Sequence, residues 1–134
     1  MSKLEQALKK SAKNILRVSE FAEQCAVIRY IGFRYPNVRI CSSAGGLFTT
    51  KTQAIKNVQA GYSAGFPDLF IYEPLGGYHG LAIEVKRIGG RATEEQKEWI
   101  AALNDRGYFA RFAYGFEQAK ELIDGYFRRA KSVS

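Results

Sequence analysis

Two short apolar strands separated by a turn of proline and glycines constrain this chain more than any other stretch. Asp68-Leu69-Phe70-Ile71-Tyr72 and Leu81-Ala82-Ile83-Glu84-Val85-Lys86 both read as strands, and Pro74-Leu75-Gly76-Gly77-Tyr78-His79-Gly80 between them favours reversal over extension. The pair is expected to form a hairpin. Side chains two apart on a strand share a face and lie about 6.5–7 Å apart. If Leu69, Ile71, Leu81, Ile83 and Val85 face a core, the other side carries Asp68, Phe70, Tyr72, Ala82, Glu84 and Lys86. Two carboxylates and an ammonium then share one surface.

The flanking segments fix what surrounds this hairpin. Leu4, Ala7, Leu8, Ile15 and Leu16 predict an amphipathic first helix, with a break near Val18-Ser19. Ser19 caps a second helix whose apolar stripe is Phe21, Cys25, Ile28 and Ile31, with Val27 beside it, and Gly32 with Pro36 sets its end. Val38 to Ser42 reads as a strand, Ala44-Gly45-Gly46 as a loop, and Thr50 to Ala60 as a short helix. After the hairpin comes a Gly89-Gly90 break. Thr93 and Gln96 fit a capping box for a helix to Asn104 that buries Trp99, Ile100 and Leu103. Gly107 closes it. Tyr108 to Tyr114 returns as a strand, and Phe116 to Phe127 is a last helix with Phe116, Ala119, Leu122, Ile123 and Tyr126 inward. A helix between the third and fourth strands favours a parallel crossover, so the sheet is expected to be mixed, four-stranded and covered on both faces.

Charge is distributed unevenly along the 134 residues. Up to Pro67 ten Lys and Arg stand against three Glu, net +7; from Asp68 onward ten of each sign cancel. Between Glu23 and Asp68 there is no acidic residue, while Arg29, Arg34, Arg39, Lys51 and Lys56 fall there. Such a one-sided field suits a polyanion, because neutralising phosphates releases counterions without reading bases. The cluster Lys9, Lys10 and Lys13 reads equally as a binding element or as a solvated helix face.

Cys25, Cys41 and the single His79 are too few for a zinc site or a disulfide framework. The thiols are expected to be reduced, buried small hydrophobes, and His79 a surface residue of the turn. A bound metal would need oxygen ligands, which points to Mg²⁺ or Mn²⁺. The N-terminus lacks a signal-peptide pattern and no apolar run reaches membrane-spanning length, so a cytoplasmic location is expected.

Glu84 and Lys86 form an E-x-K triplet in an otherwise apolar strand. There, a buried charge costs several kcal/mol unless it is paired or bound to metal. Glu95-Gln96-Lys97 has the same spacing but lies in a helical pattern, where residues two apart do not face one another. With Pro67-Asp68 ahead of it, the first triplet reads as a metal site for phosphate chemistry; the alternative is a structural ion pair.

Four segments carry a resemblance: Glu23-Gln24; Gly61-Tyr62-Ser63-Ala64-Gly65-Phe66-Pro67-Asp68-Leu69; Gly80-Leu81-Ala82-Ile83-Glu84-Val85-Lys86; and Thr93-Glu94-Glu95-Gln96-Lys97-Glu98-Trp99. In these the chain resembles the VRR-NUC family of the PD-(D/E)xK, restriction-endonuclease-like nucleases. The resemblance implies an α/β fold with an αβββαβ core, here within a domain over 19–128, preceded by an N-terminal helix over 1–18 and followed by a basic tail over 129–134. It also implies that Asp68, Glu84 and the Val85 carbonyl hold Mg²⁺, with Mn²⁺ as a substitute, and that Lys86 orients water or offsets phosphate charge. Glu23 would hold a second metal or a water, with Glu20 one turn earlier as its rival. Gln96 would lie at the edge of the site, or only cap its helix. Lys51, Lys56, Arg87 and Arg91 would hold DNA.

The implied activity is a Mg²⁺-dependent endonuclease on branched DNA, such as a Holliday junction resolvase working as a homodimer, often encoded by viruses or mobile elements. A flap or nicking nuclease, or a non-catalytic DNA-binding module, is the alternative. The chain departs from the family at Ser43-Ala44-Gly45-Gly46-Leu47-Phe48, where asparagine-glycine-glycine and a following arginine are usual; Lys51 could replace the missing cation.

Overall fold

The computed structural model describes residues 2–16, 19–43 and 50–129, with the side chains of 10–16 excepted. The elements are α1 (Lys3–Leu16), α2 (Glu20–Arg34), β1 (Ile40–Ser42), α3 (Lys51–Gln59), β2 (Leu69–Ile71), β3 (Leu81–Lys86), α4 (Glu94–Asp105), β4 (Phe109–Tyr114) and α5 (Phe116–Arg128). The expected loop at Ala44-Gly45-Gly46, the departure from the family pattern there, the break at Val18 and most of the basic tail lie outside the described residues.

The four strands form one mixed sheet in the order β1-β2-β3-β4. β1 and β2 pair antiparallel, as do β2 and β3, whereas β4 runs parallel to β3. In the hairpin Leu69 faces Ile83, Phe70 faces Ala82 and Ile71 faces Leu81. The anticipated face assignment therefore holds. Leu69, Ile71, Leu81, Ile83 and Val85 pack with Val27, Ile31, Ala119, Ile123 and Tyr126 of α2 and α5. On the reverse face Ala82 and Ala110 meet Ile100 and Leu103 of α4, where small side chains let the helix approach. Each fully buried Leu or Ile contributes about 1.5–3 kcal/mol, and β3, buried along all six residues, is the axis of both layers.

Local chemistry sets the helix ends. Ser19, Thr50 and Thr93 accept from the N–H three residues on, as N-caps do, and Thr93 with Gln96 completes a capping box. Three sequence expectations need correction. Val27 and Ile31 of α2 are buried as expected, but Phe21 is 65% exposed and Glu23 is the residue turned inward in the first turn. Gly32 does not end α2, which runs to Arg34 before Pro36 forbids another turn. Cys25 is only half-buried and Cys41 is exposed, because β1 is an edge strand with one neighbour.

Two polar ties join the layers across long sequence distances. Tyr30 of α2 and Tyr35, its C-cap residue, both donate to Asp124 Oδ1 of α5 at 2.6 Å. The Tyr126 hydroxyl, from a fully buried ring, donates to the Glu73 carbonyl and accepts from Leu75 N–H at 3.3 Å. It thereby anchors the β2–β3 connection to α5. Tyr126→Phe strands both backbone groups, and such loss costs about 1–3 kcal/mol. Urea unfolding of this variant is expected to show a drop in that range with an unchanged m-value.

Candidate active site

Continuing the hairpin register by one step sets Asp68, the residue before β2, opposite Glu84. The two residues hold each other through the backbone. Asp68 N–H donates to Glu84 Oε2 at 3.2 Å, and Val85 N–H donates to Asp68 Oδ2 at 2.9 Å. Ser43 N–H donates to the Asp68 carbonyl at 2.8 Å, which ties the turn after β1 to the same point. Glu84 is 3% exposed. Val85 is thus in contact with the acids through its main chain while its side chain stays in the core.

Burial and the neighbouring charge act together on these acids. Burial, then the Asp68 charge, then the hydrogen bond between the two carboxyls push Glu84 up to about 8. Asp68 is also raised, by burial first, against the lowering effect of its bonds to Glu84 and to Val85 N–H. Two carboxylates this close cannot both ionise cheaply, so the pair favours retaining a proton.

The remaining polar groups complete the frame. Gln96 Nε2 donates to Glu84 Oε1 at 3.0 Å while its Oε1 accepts from Thr93 N–H at 2.9 Å. One side chain therefore does what had seemed alternatives: it caps α4 and reaches the acid pair. Lys86, 5% exposed, lies 3.7 Å from Glu20 Oε1. Its charge acts on both Asp68 and Glu84.

Glu23 lies against the start of α5. It is buried, and its Oε2 accepts from Phe116 N–H at 2.7 Å. α5 starts after Gly115, which has no side chain to cap it, so Glu23 supplies the anion that a helix N-terminus favours. Among the described residues, no three His, Cys, Asp or Glu side chains gather as a metal-holding group. The α2 carboxylate at Lys86 is Glu20, a contact made by helix-on-sheet packing that strand parity cannot reveal.

The outlying cations are dispersed. Lys51 and Lys56 are exposed on α3, a helix with no buried residue. Arg87 is half-buried and Arg91 exposed, either side of a turn closed by Gly90 N–H to the Arg87 carbonyl at 2.9 Å. Ile88 between them is 74% exposed.

The donor set fits a hard divalent cation. The buried Glu84 and the half-buried Asp68, both with raised pKa, offer oxygen ligands, and a bound cation would relieve the repulsion between them. The sign of the pH dependence follows. Glu84 keeps its proton in the fold to about pH 8, whereas the unfolded chain releases it in the ordinary carboxyl range. The stability this contributes is full at acidic pH and is lost as pH climbs toward 8. In EDTA, urea unfolding is expected to show a loss on the order of a few kcal/mol from pH 5 to pH 8. Mn²⁺ should restore more stability at pH 8 than at pH 5, and Glu84→Gln should abolish both effects.

The VRR-NUC domain model matches residues 9–117. A solved structure described as a VRR_NUC domain protein is 32% identical, with a TM-score of 0.74, over 85% of this chain and 92% of its own. No curated protein matches the chain.

Proposed function

This chain belongs to the VRR-NUC family and is a nuclease-type domain; from that premise we propose that it is a Mg²⁺-dependent endonuclease hydrolysing phosphodiester bonds in branched DNA. The observation that carries the reading is the half-buried Asp68 held against the buried Glu84, with Lys86 two residues beyond Glu84.

Asp68, Glu84 and the Val85 carbonyl would hold the cation, which when bound supplies a Lewis acid for the phosphate and an acidified water. The protein's own groups do the rest. Val85 N–H and Gln96 fix one oxygen each of Asp68 and Glu84, so the acids need not reorganise to accept a ligand. Lys86 is directed by Glu20 and offsets charge building on the phosphate oxygens. Glu23 keeps the start of α5 beside the end of β3, where Gly115 N–H donates to the Lys86 carbonyl at 2.8 Å.

Arg87, Arg91, Lys51 and Lys56 would bind the DNA backbone, giving shape rather than sequence selectivity. Exposed Leu4 and Leu8 lie one turn apart on α1, on one helix face, which supports a homodimer presenting one centre to each strand of a junction.

Cleavage of a labelled four-way junction, a flap and a matching linear duplex with Mg²⁺ tests the proposal. The junction should be cut fastest. Asp68→Ala and Glu84→Ala should each slow cutting on the order of 100–1,000-fold while junction binding persists. Gln96→Ala should cost about 10- to 100-fold, recovered partly by excess Mn²⁺. Undiminished cutting by both acid variants would refute the assignment, and preference for the flap would move the substrate to the alternative.

A further inference from the structure

Trp99, the one tryptophan in the chain, stands on α4 a single turn beyond Gln96, whose amide touches Glu84. The hydrolysis proposed above gives it no task. Its indole is nevertheless fixed at two points. Nε1 donates to Ser63 Oγ at 3.2 Å, and Phe66 meets the ring edge-on, with centroids 5.1 Å apart and planes at 88°. Only half-buried, it borders two clefts that share Ser63 and Trp99. The inner one, about 340 Å³, is walled by Tyr62, Phe66 and Trp99 and reaches Ser43, whose N–H bonds the Asp68 carbonyl. The outer one, about 490 Å³, is edged by Glu95, Glu98 and Arg106.

The inner cleft is held open in advance by the backbone. Gly65 adopts φ +88°, and a Cβ there would lie 2.5 Å from the Glu95 carbonyl carbon. The loop carrying Tyr62 and Phe66 is thereby pressed on the first turn of α4, and it runs directly into Pro67-Asp68. Charge selects what can enter. Among the described residues, the lining of the inner cleft carries no charged side chain that would hold a phosphate, whereas a nucleobase is uncharged and offers a flat π face to its aromatic walls. Paired bases inside a duplex cannot present that face.

Resting on the DNA substrate proposed above, we infer that the Tyr62–Phe66–Trp99 cleft receives an unpaired nucleobase of the substrate strand, stacked on Trp99 next to the scissile phosphate. Selectivity for branched DNA then has a second source besides shape: a strand whose bases are free near the branch can fill the cleft.

The lone tryptophan makes the test direct. In EDTA, where nothing is cut, a single-stranded oligodeoxynucleotide should quench Trp99 emission saturably, and the blunt duplex of the same sequence should leave it nearly unchanged. By anisotropy of the labelled strand, Trp99→Ala should weaken single-strand binding about tenfold, with Trp99→Phe recovering most of it. If Trp99→Ala does not fold, Tyr62→Ala decides, with an expected loss of severalfold. Equal quenching by duplex and single strand, or unchanged affinity in the folded alanine variant, overturns the inference. Because the assay needs no cleavage, binding with quenching but no cutting would count against the nuclease reading alone.

Discussion

Two carboxyl groups pressed together across a buried hairpin set the terms for the rest of this molecule. Left alone, such a pair would cost several kcal/mol and would splay the strands that carry it. It persists because its oxygens are met by Val85 N–H, Asp68 N–H and the Gln96 amide, and because Lys86 lies close enough to offset charge. Each of those donors comes from a different part of the architecture: the strand itself, the turn entering its partner, and the helix beyond.

The surrounding layers serve that arrangement. β3 pairs with the parallel β4 along all six residues and with the antiparallel β2 over Leu81–Ile83, so the backbone that carries Glu84 is held in place. α5 grips the hairpin connection through Tyr126, and Asp124 grips α2 through two tyrosines. The outer helices α1 and α3, by contrast, leave Leu4, Leu8, Ile55 and Val58 exposed. Rigidity is concentrated around the acids, and apolar surface remains for partners at the periphery.

What could be read from the residues alone divides along physical lines. The shared face of Asp68, Glu84 and Lys86 was legible because strand parity is local and has a period of two. The Thr93–Gln96 box was legible for the same reason, being a four-residue pattern. The inward side of the first turn of α2 was not, although Val27 and Ile31 further along were. Hydrophobicity places Phe21 inside, yet Glu23 is buried because it meets the bare N-terminus of α5, 93 residues away. The Glu20–Lys86 contact and the exposure of Cys41 are likewise products of packing, which no short window of sequence contains.

The double engagement of Gln96 narrows how this position can drift over evolutionary time. Glutamate satisfies a capping box as well as glutamine does, but here it would bring a third carboxyl against Glu84. Lysine or arginine would suit the acids and forfeit the acceptor that Thr93 N–H requires. Asparagine is a methylene short of spanning both. Neutral variation that an ordinary helix start would tolerate is closed off, and a lineage departing from glutamine would have to re-engineer the helix and the acid pair in the same step.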